Sequence, residues 1–389
     1  MRILFVTHAF PRHQGDAAGS FLLALAVALR SRGAEVSVLA PAAFGLAAED
    51  AIDGVAVRRF RYAPAFMETL AYSGTMVEQV RGSLEGLTAL AGMLALGRAA
   101  VRRERARLAP DVVHAHWWFP GGLIARSQPG RAALVTTLHG TDVRLAAAGG
   151  IGRRLFRFVA RGSDRVTAVS SWLAARASGA CEGLEPVIAP MPVDTTLLTP
   201  PPPDTQRSGV LFVGRLNAQK GTADLIRAFA GMHAPAQLDI VGDGPDSAAV
   251  RTLALELGVG DRVHFHGAVA HERLVARYQR AAVVVVPSRE EGLGLVAVEA
   301  QLCGAPVVAY DSGGLRDVVR HGETGLMTPP GDLAALTAAI DAMLADGGGA
   351  RRMADRGRAD ALARFAPDAV ASRYLEVYAQ AVAARRANA

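Results

Sequence analysis

Two series of short, β-branched apolar runs, each run followed by an alanine- and leucine-rich stretch, constrain this chain more than any other feature. In the first series the runs fall at Ile3 to Thr7, Val36 to Ala40, Val112 to His116, Leu134 to Leu138 and Val166 to Val169. In the second they fall at Val210 to Val213, Leu238 to Val241, Val263 to Phe265, Val283 to Val286 and Val307 to Ala309. Such strands belong to parallel sheets covered by helices on both faces, because neither face is left for polar residues. Between the series stands Thr199-Pro-Pro-Pro-Pro-Asp204, a stiff extended run that is neither helix nor central strand. The expected architecture is α/β: a first domain over 1–198, a proline-rich linker over 199–208, a second domain over 209–366 and a last helical segment over 367–389. Two doubly wound domains with their strand ends turned to one central cleft would bind ligands there, where strand ends and helix starts converge.

Composition narrows the class. With 389 residues, 51% of them hydrophobic, the chain can bury two full cores. The net charge of +6 comes from arginine clusters such as Arg98, Arg102, Arg103, Arg105 and Arg107, or Arg351, Arg352, Arg356 and Arg358. These read as solvated helix faces, with a membrane surface or a polyanion as the alternative. No aromatic-rich basic stripe accompanies them, so nucleic acid is not an expected partner. Cys181 and Cys303 form no disulfide framework and fit a reducing cytoplasm. The start, Met1-Arg-Ile-Leu-Phe-Val-Thr-His8, reads as a strand and not as a signal peptide. The uncharged run Gly86 to Gly97 is well short of the ~20 residues that span a bilayer. A cytoplasmic protein, at most peripheral to the inner face of the membrane, is expected.

Lys220 is the sole lysine beside forty-one arginines, and it lies five residues after Arg215 in Val210-Leu-Phe-Val-Gly-Arg-Leu-Asn-Ala-Gln-Lys-Gly221. A compact, hydrated ammonium suits a phosphate oxygen at close range better than a planar guanidinium does. Gly214-Arg215 follows a strand and Lys220-Gly221 precedes a helix over Thr222 to Met232, where free backbone N–H groups favour an anion. Two solvated loop charges, or a Schiff-base lysine, are the competing readings. The second constellation is Pro287-Ser-Arg-Glu-Glu-Gly-Leu-Gly-Leu-Val-Ala-Val-Glu299, again after a strand. If its helix begins near Gly294, Glu299 falls in the second turn and Glu291 in the loop before it, so both can face the cleft. Each carboxylate can accept two hydrogen bonds from a vicinal diol, although two glutamates near a helix start also serve simply to complement its dipole.

Gly214-Arg215 with Lys220-Gly221, Val241-Gly-Asp-Gly-Pro245, Glu291-Gly-Leu-Gly-Leu-Val-Ala-Val-Glu299, Cys303-Gly-Ala-Pro-Val307 and the stretch Ser312 to Gly325 together resemble the retaining glycosyltransferases of family 4, with the GT-B fold. The first half matches more loosely, at Phe10-Pro11, the loop from Gly15 to Gly19, Asp111-Val-Val-His-Ala-His-Trp117 and Leu138-His-Gly-Thr-Asp142. The resemblance implies hexosyl transfer from a nucleotide-diphosphate sugar to an acceptor, with retention and without a metal or cofactor. It assigns Arg215 and Lys220 to the diphosphate, Glu299 to the ribose, and Glu291 with the backbone of Gly292, Leu293, Gly294 and Leu295 to the transferred sugar. It places His139 beside the anomeric carbon, Gly19 and Gly214 where backbone approaches the diphosphate, and Val269 near the base, in the segment Gly267 to Arg273. Family members often have two adjacent glycines where this chain has Ala18-Gly19. The family also implies that the departing phosphate takes the acceptor's proton, so no enzymic nucleophile is required.

Other readings of these residues lead elsewhere. His114 and His116 alternate on one strand and could join His139 in a metal site, but no carboxylate or cysteine at ligand spacing completes it, so one of them lining the cleft while the other packs is preferred. His264 and His266 read as polar residues of an edge strand. Val241-Gly-Asp-Gly-Pro245 lacks the third glycine of a dinucleotide fingerprint. A nucleotide-sugar epimerase of the same fold and a non-catalytic nucleotide-sugar-binding subunit remain alternatives. The segment Arg61 to Gly74 resembles that of a subgroup associated with bacterial cell-surface polysaccharide assembly, and it is followed by a helix over Leu84 to Leu108. Its stripe of Leu87, Leu90, Ala91, Leu94 and Val101 beside a basic end suits either the core or a membrane interface with a lipid-linked acceptor.

Overall fold

The structure, a computed structural model, describes residues 1–16, 18–72, 76–126 and 130–387. Ser73 and Gly74 of the irregular segment, and Ala17 of the loop before Gly19, lie outside the described residues. The chain divides into two compact units, Met1–Pro192 with Pro367–Ala389, and Val193–Ala366.

The first unit is built on an eight-stranded sheet. Its strands are β1 (Arg2–Val6), β2 (Glu35–Pro41), β3 (Glu49–Ile52), β4 (Val55–Phe60), β5 (Val112–His116), β6 (Ala133–Leu138), β7 (Arg165–Ala168) and β8 (Val187–Ile188), in spatial order β3-β4-β2-β1-β5-β6-β7-β8. All neighbours are parallel except β3 and β4. That pair is a hairpin closed by Asp53 and Gly54, both at positive φ (47° and 74°), the handed turn that a two-residue connection requires. The apolar-run reading passed over it because β3 is exposed and β4 carries Arg58 and Arg59. Five strands were legible to within a residue or two because they are buried throughout.

The last helix, Pro367–Ala387, packs in this first unit. Arg32 clasps the Asp368 carboxylate through Nε and a terminal nitrogen at 2.6 and 2.8 Å, Tyr374 donates to the Ala189 carbonyl at 3.0 Å, and the Tyr378 hydroxyl meets His114 Nδ1 at 2.8 Å. The helix Leu84–Leu108 packs Leu90, Leu94 and Val101 of its stripe against the core and leaves Ala91 exposed. It turns Gly86, Ala89, Met93, Gly97 and Val101 inward, so small residues let it lie close to the core, while Leu84 and Leu87 are 80% and 49% exposed. By length and composition it is also apolar enough to cross a membrane, although a third of that stretch is buried.

The second unit holds β9 (Ser208–Val213), β10 (Leu238–Val241), β11 (Val263–Gly267), β12 (Ala281–Val286), β13 (Val307–Tyr310) and β14 (Leu326–Thr328), all parallel, in order β11-β10-β9-β12-β13-β14. This is a doubly wound sheet whose winding reverses between β9 and β12. Its core includes Phe212, Leu225, Phe229, Ile240, Val283, Val285 and Ile340, each burial contributing roughly 1.5–3 kcal/mol. His264 and His266 sit on edge strand β11, as read from their alternation.

The boundary between units falls at Pro192, upstream of the proline run, which corrects the linker expected over 199–208. The run is extended, but the chain around it is tied to the second unit. Val193 N–H donates to the Phe365 carbonyl at 3.0 Å, Gln279 to the Thr199 carbonyl at 2.8 Å, and Arg207 to the carbonyls of Tyr278 and Cys303, each at 2.9 Å.

Candidate functional site

At the reversal of the second sheet two loops meet. Beyond Val213 the chain passes Gly214 and Arg215 into a single turn, Ala218–Lys220, capped by the Asn217 side chain accepting from Lys220 N–H at 3.1 Å, and then into the helix Thr222–Ala230. Beyond Val286 it passes Pro287 to Gly294 into the helix Leu295–Leu302. Gly221 makes their approach possible. It has φ 71°, and a Cβ there would stand 2.0 Å from the Pro287 carbonyl oxygen. Arg289 N–H donates to the Gln219 carbonyl at 2.8 Å, and the Gln219 amide to the Glu290 carbonyl at 2.6 Å, stitching the loops together. A third loop joins them, with Gly314 N–H donating to the Glu291 carbonyl at 2.8 Å and the Ser312 hydroxyl to the Ser288 carbonyl.

This stitching brings Lys220 Nζ to 2.6 Å from Glu291 Oε2, with side chains only 24% and 15% exposed. Two charges half out of water attract one another more strongly than a surface pair does, yet stay wet enough to exchange partners. Arg215 is exposed and its side chain has no partner among the described residues. The helix starts at Leu295 behind Gly294, so Glu299 lies in its second turn, as expected. The structure does not bring the two glutamates onto a common partner. Glu299 Oε2 accepts from the Tyr278 hydroxyl at 2.9 Å. Burial raises the Glu299 carboxyl above its usual range, and burial followed by the Glu299 charge pushes the Tyr278 phenol well up, so Tyr278 stays a neutral donor. Tyr278 was missed in the sequence because nothing local to the helix His271–Arg280 marks one tyrosine as special. Leu293 is buried, and Val269 is half-buried in the loop before that helix. First-turn amides of Leu295–Leu302 add the unsatisfied donors and positive dipole end that favour an anion.

The first unit reverses between β1 and β5, and there its chemistry is aromatic. Gly19, at φ 72°, heads the helix Ser20–Ser31, and a Cβ on it would stand 2.7 Å from the Ala9 carbonyl oxygen, so this glycine is required by its own loop. His139 follows β6. Its position is fixed by the buried Asp142 carboxylate, which accepts from the N–H groups of His139, Gly140, Val143 and Trp118 at 2.9–3.2 Å. Asp142 stood in the quoted motif without a role. The His139 ring stacks on Trp117 with centroids 4.3 Å apart, and its Nε2 lies 3.2 Å from His116 Nδ1. His114 is held at both nitrogens, by Tyr378 at 2.8 Å and Thr137 at 2.6 Å. Both His114 and His116 are fully buried, so neither lines an open surface as one of them was expected to. Burial lowers His8 to about 4 and His114 to about 3, and holds His116 and His139 well below the usual histidine range. All four are neutral at pH 7. Among the described residues no group of three or more such side chains could hold a metal ion.

Residues 18–197 match the family described as Glycosyltransferase Family 4, and residues 199–360 match Glycosyl transferases group 1. The D-inositol 3-phosphate glycosyltransferase of Xylanimonas cellulosilytica is 34% identical over 98% of this chain and 97% of its own. This chain belongs to glycosyltransferase family 4. The glycogen synthase of Mycobacterium tuberculosis is 31% identical over 69% of this chain and 68% of that one. Among solved structures, sucrose-phosphate synthase from Thermosynechococcus elongatus superposes with a TM-score of 0.80 at 26% identity, covering 98% of this chain and 99% of that one. Anabaena HepE, solved with UDP and glucose, gives a TM-score of 0.74 at 22% identity over 97% and 99%. The protein is therefore a glycosyltransferase of GT-B fold, built from two Rossmann-like parallel-sheet units.

Proposed function

We propose that this glycosyltransferase moves a hexosyl group from a nucleotide-diphosphate sugar to a glycan or lipid-linked acceptor, with retention of anomeric configuration and without a metal. The observation that carries this reading is the Lys220–Glu291 pair at the reversal point of the second sheet, 2.6 Å apart and half-buried. A diphosphate arriving there takes Lys220 from Glu291, with the exposed Arg215 as second cation and the helix start beneath. Glu291, so released, accepts hydrogen bonds from the sugar hydroxyls, while Glu299, oriented by Tyr278, accepts from the ribose. His139 is assigned to the transferred sugar, and Gly19, Gly214, Val269 and Gly292 to Leu295 to the donor's backbone contacts. As the sugar–phosphate bond breaks, negative charge grows on the leaving diphosphate. Two fixed cations and oriented amides stabilise that charge, and the phosphate oxygen takes the acceptor's proton as the new glycosidic bond forms. Anabaena HepE, which shares the fold, is solved with UDP and with UDP-glucose, and this makes a uridine donor the first to test.

A cytoplasmic enzyme resting on the membrane is part of the same proposal. Phe66, Val77, Leu84 and Leu87 are 78, 49, 80 and 49% exposed, and Arg81, Arg102 and Arg103 are exposed as well. Apolar side chains with flanking arginines suit the interface of an anionic bilayer. Three measurements test the proposal. Thermal shift against UDP, GDP, ADP, dTDP and their sugars should show about 2.7 kcal/mol of stabilisation at a hundredfold excess of the right ligand over its dissociation constant. No shift with any of them overturns the donor reading. Turnover is then assayed with lipid-linked glycans beside inositol phosphate, and flotation with anionic liposomes, lost in Leu84→Asp with Leu87→Asp, tests attachment.

A further inference from the structure

His116 and His139 share one hydrogen bond from ring to ring, His116 Nδ1 to His139 Nε2 at 3.2 Å. A neutral pair has one proton for that bond, so one ring donates and the other accepts. The surroundings of His116 decide which. Its other nitrogen, Nε2, is enclosed without a partner among the described residues, in a ring packed against Phe5 at 4.7 Å and His114 at 3.9 Å between centroids. Were His139 the donor, His116 would carry its proton on Nε2, and a buried N–H would go unpaired. That is the costlier choice, since an orphaned buried donor is rarer and less tolerable than an unused lone pair. His114 offers no escape, because Tyr378 and Thr137 already occupy both its nitrogens.

We infer that His116 is a positioning residue that fixes His139 as its Nδ1–H tautomer, so that His139 presents a hydrogen-bond donor, and not a base, to an oxygen of the bound substrate. His139 Nδ1 has no partner among the described residues and is not among the enclosed polar atoms, so it is free to donate. Trp117 at 4.3 Å and Phe21 at 5.4 Å hold the ring plane, and Asp142 holds the backbone beneath it. A neighbour that dictates which imidazole nitrogen carries the proton thereby sets the role of the other. Only the substrate contact rests on the function proposed above; the tautomer does not.

The wild-type enzyme labelled with 15N-histidine decides the tautomer, with the His139 resonances identified by their loss in His139→Gln. At pH 7 the expected spectrum shows His139 Nδ1 protonated and Nε2 bare; the opposite pattern overturns the inference. His116→Asn keeps an N–H near the place of Nδ1, whereas His116→Leu removes it. The Leu variant is expected to lower kcat roughly tenfold or more with donor KM within about twofold, and to move the His139 proton to Nε2, while the Asn variant restores most of kcat. Loss of kcat in His116→Leu with an unchanged His139 tautomer overturns the positioning role. If the Leu variant does not fold, the wild-type spectrum and the Asn variant still decide. An Nδ1–H His139 in a protein that turns over no nucleotide sugar would sink the proposed function and leave this inference standing.

Discussion

The two units share a sheet plan and differ in what they place at its reversal. Around β9 and β12 the second unit sets charge: Lys220 on Glu291, Arg215 exposed, and Glu299 held by Tyr278. Around β1 and β5 the first unit sets neutral rings: His8, His114, His116 and His139 among Phe5, Phe21 and Trp117. The same fold position therefore serves two kinds of chemistry, because strand ends supply only a place, and the side chains on the following loops supply the chemistry. Charge at the second reversal can neutralise a leaving group. Rings at the first shape and orient, at the expense of stability whenever they are forced to charge.

The largest expected effect breaks or upholds the charged half. Lys220→Ala should lower kcat/KM about 10²–10³-fold, the range seen when one preorganised donor to developing negative charge is removed, and Lys220→Arg should lower it less. Steady-state kinetics with the donor found by thermal shift reads this, and wild-type turnover in Lys220→Ala would end the diphosphate assignment. Folding should change little, since the removed group is partly solvated.

Acid should do the reverse, damaging the ring-lined unit. His8 and His114 titrate in the fold near 4 and 3, against 6.5 for an unperturbed histidine, so between those values the unfolded chain binds more protons. Their contribution is complete above about pH 6.5 and is lost as the pH falls toward 4 and then 3, at about 1.4 kcal/mol per pH unit for each fully coupled histidine. Trp117, Trp118 and Trp172 are the chain's three tryptophans and all lie in the first unit, so their fluorescence reads that unit alone. Melting followed by fluorescence should shift downward across this window. A midpoint flat from pH 7 to 4 would mean that the rings are not kept neutral by the fold.

Tyr278→Phe tests whether Glu299 needs its orienting bond. Leaving that carboxylate one donor short should cost about 1–3 kcal/mol, read as a rise of about 5- to 150-fold in donor KM with kcat nearly kept. Gly19→Ala is expected to do least to the second unit. Positive φ and the 2.7 Å approach to Ala9 together should cost roughly 1–2 kcal/mol, seen as a lower fluorescence-detected midpoint.

Much of this was legible in one dimension. Ten strands were placed by apolar run alone, and Arg215, Lys220, Glu291 and Glu299 fell on the loops and helix turn where spacing put them, because strand, turn and helix are set by neighbours within a few residues. The hairpin of β3 and β4 escaped because its strands are exposed or charged, leaving Asp53-Gly54 as its signal. The inner face of Leu84–Leu108 was legible only in part, because Leu90, Leu94 and Val101 of the stripe pack on the core while glycine and alanine, weak signals of burial, complete that face.

By itself the sequence determined two βα series, the chemical character of each set of loops and the family. Tertiary structure decided the rest, and for one reason. Lys220 and Glu291 are 71 residues apart, Tyr278 reaches Glu299 from another helix, His116 meets His139 across neighbouring strands, and Tyr378 meets His114 over 264 residues. Such partners are chosen by which strands become neighbours when the sheet winds out from its middle, and strand order is a property of the packed whole that no local stretch encodes.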